Sequence, residues 1–342
     1  FIRPQFVHSF KFSILFLVSL QNAFLGSLVG DAIAMPVHWY YDREALDRDY
    51  GDFDDYLAPR NPHPDSILWR STYDPVGPKA DILREQSKYW GQRGTHYHQF
   101  LDAGENTLNI KLSVELYRWI ILHGEFNLDG WLRRYVEVML TPGWHRDTYA
   151  EEYHRKFFTH YARGKALHSC ASPDLHIGAL SLIPGLLAGL EALDITDPAT
   201  LIQHAMSLVR ATHDHEYSLR AAADLTRILI HASDGTPIRK VLAELPIPGV
   251  SVSKFMNWVD LPDRVVVGEK LSTACYLPKS FVASLYFVWK YHDDFSLALL
   301  QNAKCGGDNC HRAVVVGGIL GIGCGVPRKW LRNLVSMEDL RC

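Results

Sequence analysis

Lys304-Cys305-Gly306-Gly307-Asp308-Asn309-Cys310-His311-Arg312 runs directly into Ala313-Val314-Val315-Val316-Gly317-Gly318-Ile319-Leu320-Gly321. Two adjacent glycines allow a sharp turn. A carboxylate, an amide, a thiol and an imidazole follow within four residues, and a small-residue helix then begins. Asp308, Cys310 and His311 therefore fall near a helix N-terminus, where free N–H groups and the helix dipole favour anions. A helix as rich in glycine as 317–325 can approach its neighbours closely, which suits a bundle interior better than a surface. Gly-Gly-Asp-Asn also reads as an ordinary loop and N-cap. Polar, metal-capable side chains at the mouth of a tight helix make it a candidate site as well.

The chain has 342 residues, enough to bury a sizeable core in one large or two smaller domains. Its 47% hydrophobic and 21% charged content place it among globular proteins. A net charge of −3 without a basic run gives no reason to expect a nucleic-acid partner. Histidine is abundant, with 17 residues, so some are expected in a site. The cysteines (Cys170, Cys275, Cys305, Cys310, Cys324 and Cys342) form no C-x-x-C pair and no zinc-finger spacing. Free thiols in a reducing compartment are the simplest account, and a cytoplasmic location is expected.

Near the start, Arg3 and Lys11 flank the apolar run 12–20. The run has the length of a signal h-region but neither an initiator Met nor a clear small-residue cleavage site. It is too short to cross a bilayer, which takes about 20 residues. Residues 1–20 are therefore set apart as an extension, residues 21–342 are read as one domain, and no membrane partner is expected.

Along that domain, helical periodicity predicts helices over 21–31, 110–122, 126–140, 147–161, 178–193, 198–210, 217–232, 238–245 and 273–291. Only 250–252 and 265–267 offer short β-branched runs, so the fold expected is all-α. Residues 42–97 lose periodicity and are rich in proline and aromatics, the mark of a lid or binding loop. Asp102-Ala103-Gly104-Glu105-Asn106-Thr107 precedes one helix with a glycine and a cluster of oxygen-bearing side chains. Glu105, Asn106 and Thr107 are hard ligands of the kind Mg²⁺ or Ca²⁺ takes, and equally good capping residues. His154 lies three residues from Glu151, a metal-compatible spacing, but a solvated face of Glu151, Glu152 and Arg155 accounts for the charges there.

Three pieces then fall in order: Gly26-x-x-x-Gly30-Asp31-Ala32-x-x-x-Pro36, an acidic-amide-Thr at Glu105-Asn106-Thr107, and Gly306-Gly307-Asp308. In this the chain resembles the ADP-ribosylglycohydrolase superfamily, which includes the jellyfish J-type crystallins. The resemblance implies an all-α, single-domain orthogonal helical bundle with a central cleft. In active relatives two Mg²⁺ ions there hold an ADP-ribose. Their ligands come from Thr-Asp-Asp-Thr and Gly-Gly-Asp-Thr-Asp-Thr segments, with a Glu shortly after the first Gly-Asp-Ala. Here those segments are matched by Gly104-Glu105-Asn106-Thr107 and Gly306-Gly307-Asp308-Asn309-Cys310-His311, and the early Glu by His38. One matched carboxylate is an amide and one a thiol. Two closely spaced Mg²⁺ ions need several anionic oxygens, which Glu105 and Asp308 alone do not supply.

The resemblance thus implies a hydrolase that cleaves a glycosidic bond to ADP-ribose or a related nucleotide sugar, from a small-molecule or ADP-ribosylated substrate. The expected catalytic residues are Glu105, Asp308, Cys310 and His38. The expected metal ligands are Glu105, Asn106, Thr107, Asp308, Cys310 and His311, for Mg²⁺ by resemblance or for Zn²⁺ given the thiol and imidazole. His176 and Gly178 are expected near the diphosphate, without the Asn-Gly and Met-Arg elements of active relatives. Two further readings stand beside this one: Cys310 as a nucleophile with His311 as its base, and a hydrolase acting on something other than ADP-ribose. The alternative from a different class is a catalytically inactive, crystallin-like or ligand-binding member of the fold.

Overall fold

Small residues at 26, 30, 317 and 321 bring two helices into backbone contact. The computed structural model describes residues 19–340, so nearly all of the expected extension lies outside the described residues. In it, helix Leu20–Ala34 lies against helix Asn309–Cys324, and both are buried along most of their length. A Cβ on Gly26 would stand 2.0 Å from the Gly317 carbonyl oxygen, and one on Gly30 would stand 2.4 Å from that of Ala313. From the other side, a Cβ on Gly317 would meet the Gly26 oxygen at 2.1 Å. No larger residue fits at these positions while the helices keep their separation.

The remaining helices pack around this pair. Leu108–His123 lies on Ile183–Ala192, and Pro198–Arg210 pairs with Glu216–Ser233. Lys279–Lys290 and Phe295–Lys304 lean on the glycine-rich helix. Several starts are set by side-chain caps: Asp42, Asn127, Asp197 and Asp294 each accept from a backbone N–H of the first turn. Among the described residues no strand forms, and the only bridges are Ser172 with His213 and His176 with Tyr276. The all-α expectation holds. No helix among the described residues is long and apolar enough to cross a membrane.

Helix 198–210 appears with the expected bounds, the expected helix 178–193 is a 3₁₀ turn, Ile177–Leu180, followed by helix Ile183–Ala192, and two further ones start late. The expected helix 147–161 begins only at Glu152, because residues before it reach elsewhere: Thr148 N–H donates to the Tyr97 carbonyl at 2.9 Å. The expected helix 273–291 begins at Lys279, just after Pro278, and the Thr273 carbonyl accepts from Asp308 N–H instead. Neither valine run is a strand: Val252 opens helix Val252–Trp258, and 265–267 is helical. Segment 42–97 is irregular as expected, with one short helix, Arg43–Tyr50, and two 3₁₀ turns.

The helix contact predicts opposite outcomes for two glycine-to-alanine changes. Gly26→Ala forces a methyl into a backbone carbonyl, and overpacking of about 1–3 kcal/mol outweighs the gain in helix propensity. Gly318→Ala has its nearest neighbour at an ordinary 3.6 Å, so it stabilises by about 0.5–1 kcal/mol. Urea denaturation of both variants checks this; a Gly26→Ala midpoint at or above wild type would contradict the contact.

Candidate functional site

Gly306 and Gly307 both take a left-handed backbone, with φ of 67° and 65°. That turn stitches three segments together. Gly307 N–H donates to the Tyr40 carbonyl at 2.6 Å, Trp39 N–H to the Gly307 carbonyl at 2.8 Å, and Asp308 N–H to the Thr273 carbonyl at 2.9 Å. A Cβ at Gly306 would meet the Tyr40 oxygen at 2.2 Å, so the turn tolerates only glycine there. Buried Arg312 braces it, donating to Asn302 Oδ1 at 3.0 Å and to the carbonyls of Thr273 at 3.2 Å and Gly306 at 2.6 Å.

Asp308 heads helix Asn309–Cys324 without using its side chain as a cap. Its Oδ1 instead faces His311 Nδ1 at 2.6 Å and His38 Nε2 at 3.0 Å, all fully buried or nearly so. Its Oδ2 is buried with no hydrogen-bond partner, and His176 Nε2 lies 3.7 Å away. Burial alone would raise the Asp308 pKa, but the neighbouring His311 and His38 outweigh it and hold the carboxyl well below its usual range. Burial pushes His38 down to about 3, against the pull of Asp308. At His311 burial loses: Asp308 and Glu151 push it up to about 10.

Behind these lies a second layer. Asn109, in the first turn of Leu108–His123, donates from Nδ2 to Glu151 Oε1 at 2.9 Å and faces His311 Nε2 at 2.7 Å. Its Oδ1 accepts from Tyr153 and from His154 Nε2. An amide NH₂ facing His311 Nε2 fits the neutral ring, whereas the two carboxylates favour the cation. In both states His311 Nδ1 carries a proton toward Asp308. Glu151 Oε2, like Asp308 Oδ2, is buried without a partner, and His311 holds the Glu151 carboxyl below its usual range despite burial. On the other side, His38 Nδ1 meets His98 Nε2 at 2.8 Å, and His98 Nδ1 meets Asp147 Oδ1 at 2.6 Å. Trp39 stacks on His38 at 3.8 Å. A cavity of about 30 Å³, room for a water or two, adjoins Tyr153, His154 and His213.

Among the expected residues, the fold brings His38, Asp308 and His311 into one group able to share an ion, with His176, Cys275 and Asp308 as a second. Gly178 lies against both rings: a Cβ there would stand 2.7 Å from His176 Nδ1 and 3.3 Å from His311 Nε2. Four expected residues go elsewhere. Glu105 pairs with Arg146 and accepts from its own loop, at Asp102 N–H, at 3.0 Å. Asn106 donates to the Leu28 carbonyl at 2.8 Å and to Asp31 Oδ2 at 2.9 Å, and accepts from Ser336. Thr107 donates to Asp31 from both N–H and Oγ1 at 2.8 Å. Cys310 points at the Asp31 carbonyl at 3.9 Å, and burial pushes its thiol pKa up, opposite to what a nucleophile needs.

Of the expected ligands, Asn106, Thr107 and Cys310 thus face Asp31, and Glu105 faces Arg146. The residues present do not fit a pair of Mg²⁺ ions, because the oxygens that would cage them are taken and the groups facing Asp308 are imidazoles. The sequence reading puts Glu151 on a solvated face and sets aside a site shared with His154, whereas both side chains are buried. Asn109, His98, Asp147 and Cys275 were missed. The density of histidine is the one signal for His98, just past the aperiodic region, and Asp147 carries none, standing at the start of an expected helix.

Burying neutral histidines makes the fold acid-sensitive. His38 at about 3, and His63 and His154 at about 4, are held down chiefly by burial. Each has a folded pKa below the unfolded one, so its contribution is intact above about pH 6.5 and lost as pH falls toward the folded value. The loss is roughly 1 kcal/mol per pH unit for each. His311 acts oppositely, its contribution fading as pH rises toward 10. Urea midpoints at pH 7.5 and pH 5 should differ by several kcal/mol in stability; equal midpoints would mean these rings are charged in the fold.

Comparison with known proteins agrees with this architecture. The family model described as ADP-ribosylglycohydrolase matches residues 19–341. Crystallin J1A of Tripedalia cystophora is 24% identical over 338 residues, covering 91% of this chain and 90% of that protein. A solved structure described as an ADP-ribosylglycohydrolase-related protein complex shares the fold, with a TM-score of 0.61 at 20% identity over 94% of each chain. With the family's model matched across almost the whole sequence, the chain belongs to the ADP-ribosylglycohydrolase family.

Proposed function

We propose that this chain hydrolyses a glycosidic bond to ADP-ribose or a related nucleotide sugar. The observation that carries the reading is a pair of buried carboxylates, Asp308 and Glu151, each with one oxygen that has no hydrogen-bond partner and only a histidine at 3.7–3.8 Å. Both are held ionised by the histidine between them. An ionised, unengaged carboxylate is what takes a proton from an attacking water. In this reading Glu151 Oε2 accepts that proton as the water oxygen bonds to the anomeric carbon. The glycosidic bond breaks, its electron pair leaves with the acceptor atom, and that atom takes up the proton Glu151 accepted, which restores the carboxylate. His176 accepts from Gly178 N–H at Nδ1, at 2.9 Å, so its neutral ring presents Nε2–H as a donor to a substrate oxygen. Half-buried Cys275 is grouped with His176 and Asp308, and exposed Tyr276 forms a backbone bridge with His176.

A second reading is supported by the enclosure of these groups and by the likeness to a crystallin: a non-catalytic member of the fold.

Peptides carrying N-linked and O-linked ADP-ribose, followed by chromatography of released ADP-ribose, separate the two. The hydrolase reading expects turnover by wild type and a loss of 100-fold or more in both Glu151→Gln and Asp308→Asn, with far-ultraviolet circular dichroism showing both variants folded at the assay temperature. No release by wild type from any such substrate would leave the crystallin-like reading standing.

A further inference from the structure

His213 sits in the turn between helices Pro198–Arg210 and Glu216–Ser233, and its ring is held on several sides. Its backbone N–H donates to the Val209 carbonyl at 2.8 Å, and the bridge with Ser172 fixes the chain just beyond it, where Asp214 N–H donates to the Ser172 carbonyl at 3.0 Å. Nδ1 shares a hydrogen with Thr212 Oγ1 at 2.8 Å, and the ring lies against Tyr153 with centroids 4.0 Å apart. The side chain is buried, yet Nε2 has no hydrogen-bond partner. The imidazole cannot swing Nε2 toward another protein group without giving up the Thr212 bond.

The same residue borders the cavity of about 30 Å³. That volume takes a water or two and nothing larger. Leu132, Leu208 and Val209 give it carbon walls. Tyr135, Tyr153 and His154 bring polar atoms to its rim, but their hydrogens are committed: Tyr135 shares one with His154 Nδ1, and Tyr153 O–H and His154 Nε2 donate to Asn109 Oδ1. The phenol oxygens keep lone pairs. A hydrocarbon or gas atom in this space leaves Nε2 unsatisfied. A divalent ion finds one free nitrogen and, among the described residues that border the cavity, no carboxylate or thiolate. A water both donates and accepts, so it serves Nε2 whether that atom carries a hydrogen or a lone pair.

We propose that this cavity is a water site, with a buried water anchored by a hydrogen bond to His213 Nε2. The site requires no particular tautomer or charge of the ring. It lies directly behind the layer that holds Glu151: Tyr153 and His154 border the cavity and also reach Asn109, whose Nδ2 donates to Glu151 Oε1 at 2.9 Å. The water thus packs behind the two side chains that orient Asn109. This goes beyond the hydrolase reading and stands or falls without it.

High-resolution crystal structures of the full chain, with and without xenon pressurisation, test the site. Wild type is expected to show a density peak in the cavity about 2.7–3.2 Å from His213 Nε2, with no anomalous signal and no xenon. His213→Leu removes the anchor, so the water peak is lost and xenon enters, as it does in apolar cavities. In solution, oxygen-17 relaxation dispersion should count one long-lived water fewer in His213→Leu than in wild type. A wild-type cavity with no peak beside Nε2, with xenon, or with an anomalously scattering ion overturns the proposal. A water that stays in place in His213→Leu overturns the anchoring role. The wild-type crystals decide the matter alone if His213→Leu does not fold.

Discussion

The backbone-to-backbone contact between Gly26 and Gly317, extended by Gly30 against Ala313, sets the position of everything chemical in this protein. It fixes the far end of the first helix, where Asp31 is buried, against the start of the glycine-rich helix, where Asp308 and His311 sit. Asp31 then receives three hydrogen bonds from Asn106 and Thr107, the residues that open helix Leu108–His123. A carboxylate there suits the positive end of that helix. Its consequence is positional, because it delivers Asn109, in the first turn, to His311. A side chain at Gly26 or Gly317 would push the two helices apart and loosen every later link of that sequence.

The site built on this frame is dominated by histidine rather than by carboxylates. Burial discourages charge on His38, His154 and His176, and of these neighbours only at His311 do Asp308 and Glu151 overcome it. The result is a set of neutral imidazoles around two ionised carboxylates. Neutral imidazole is the form that ligates borderline metals, and it contributes no charge to offset the repulsion between two hard cations. The motif segments keep their places in the chain while the chemistry they present has changed.

Periodicity made most of the helices legible, and the Gly-Gly-Asp turn with its following helix was readable because φ > 0 and close packing both call for glycine. The site was only half legible. Asp308 and His311 fall in one motif, and His38 was reached through the family pattern. Glu151 was hidden because a helix drawn through 147–161 gave it a solvent face, whereas the chain there is not yet helical and turns the carboxylate inward. Cys275 was hidden by the same error, a helix drawn through residues that in fact form the loop touching Asp308. His98 and Asp147 come from irregular stretches, where side-chain direction follows from tertiary contacts and no local rule gives it.

Those contacts also bear on whether the site does anything. A buried oxygen without a donor costs about 1–3 kcal/mol, more when charged, and an apolar residue of similar shape avoids that cost. Asp308 Oδ2 and Glu151 Oε2 both carry it, within one cluster. Elsewhere the same fold satisfies its buried carboxylates: Asp31 has three donors, and Asp263 is served by Tyr286, Lys290 and Tyr291. The chain is therefore able to pair buried acids and leaves two of them short in one place. A purely structural member of the fold gains nothing from that arrangement. A site that takes up an ion, a water or a substrate oxygen gains the missing partner when it is filled.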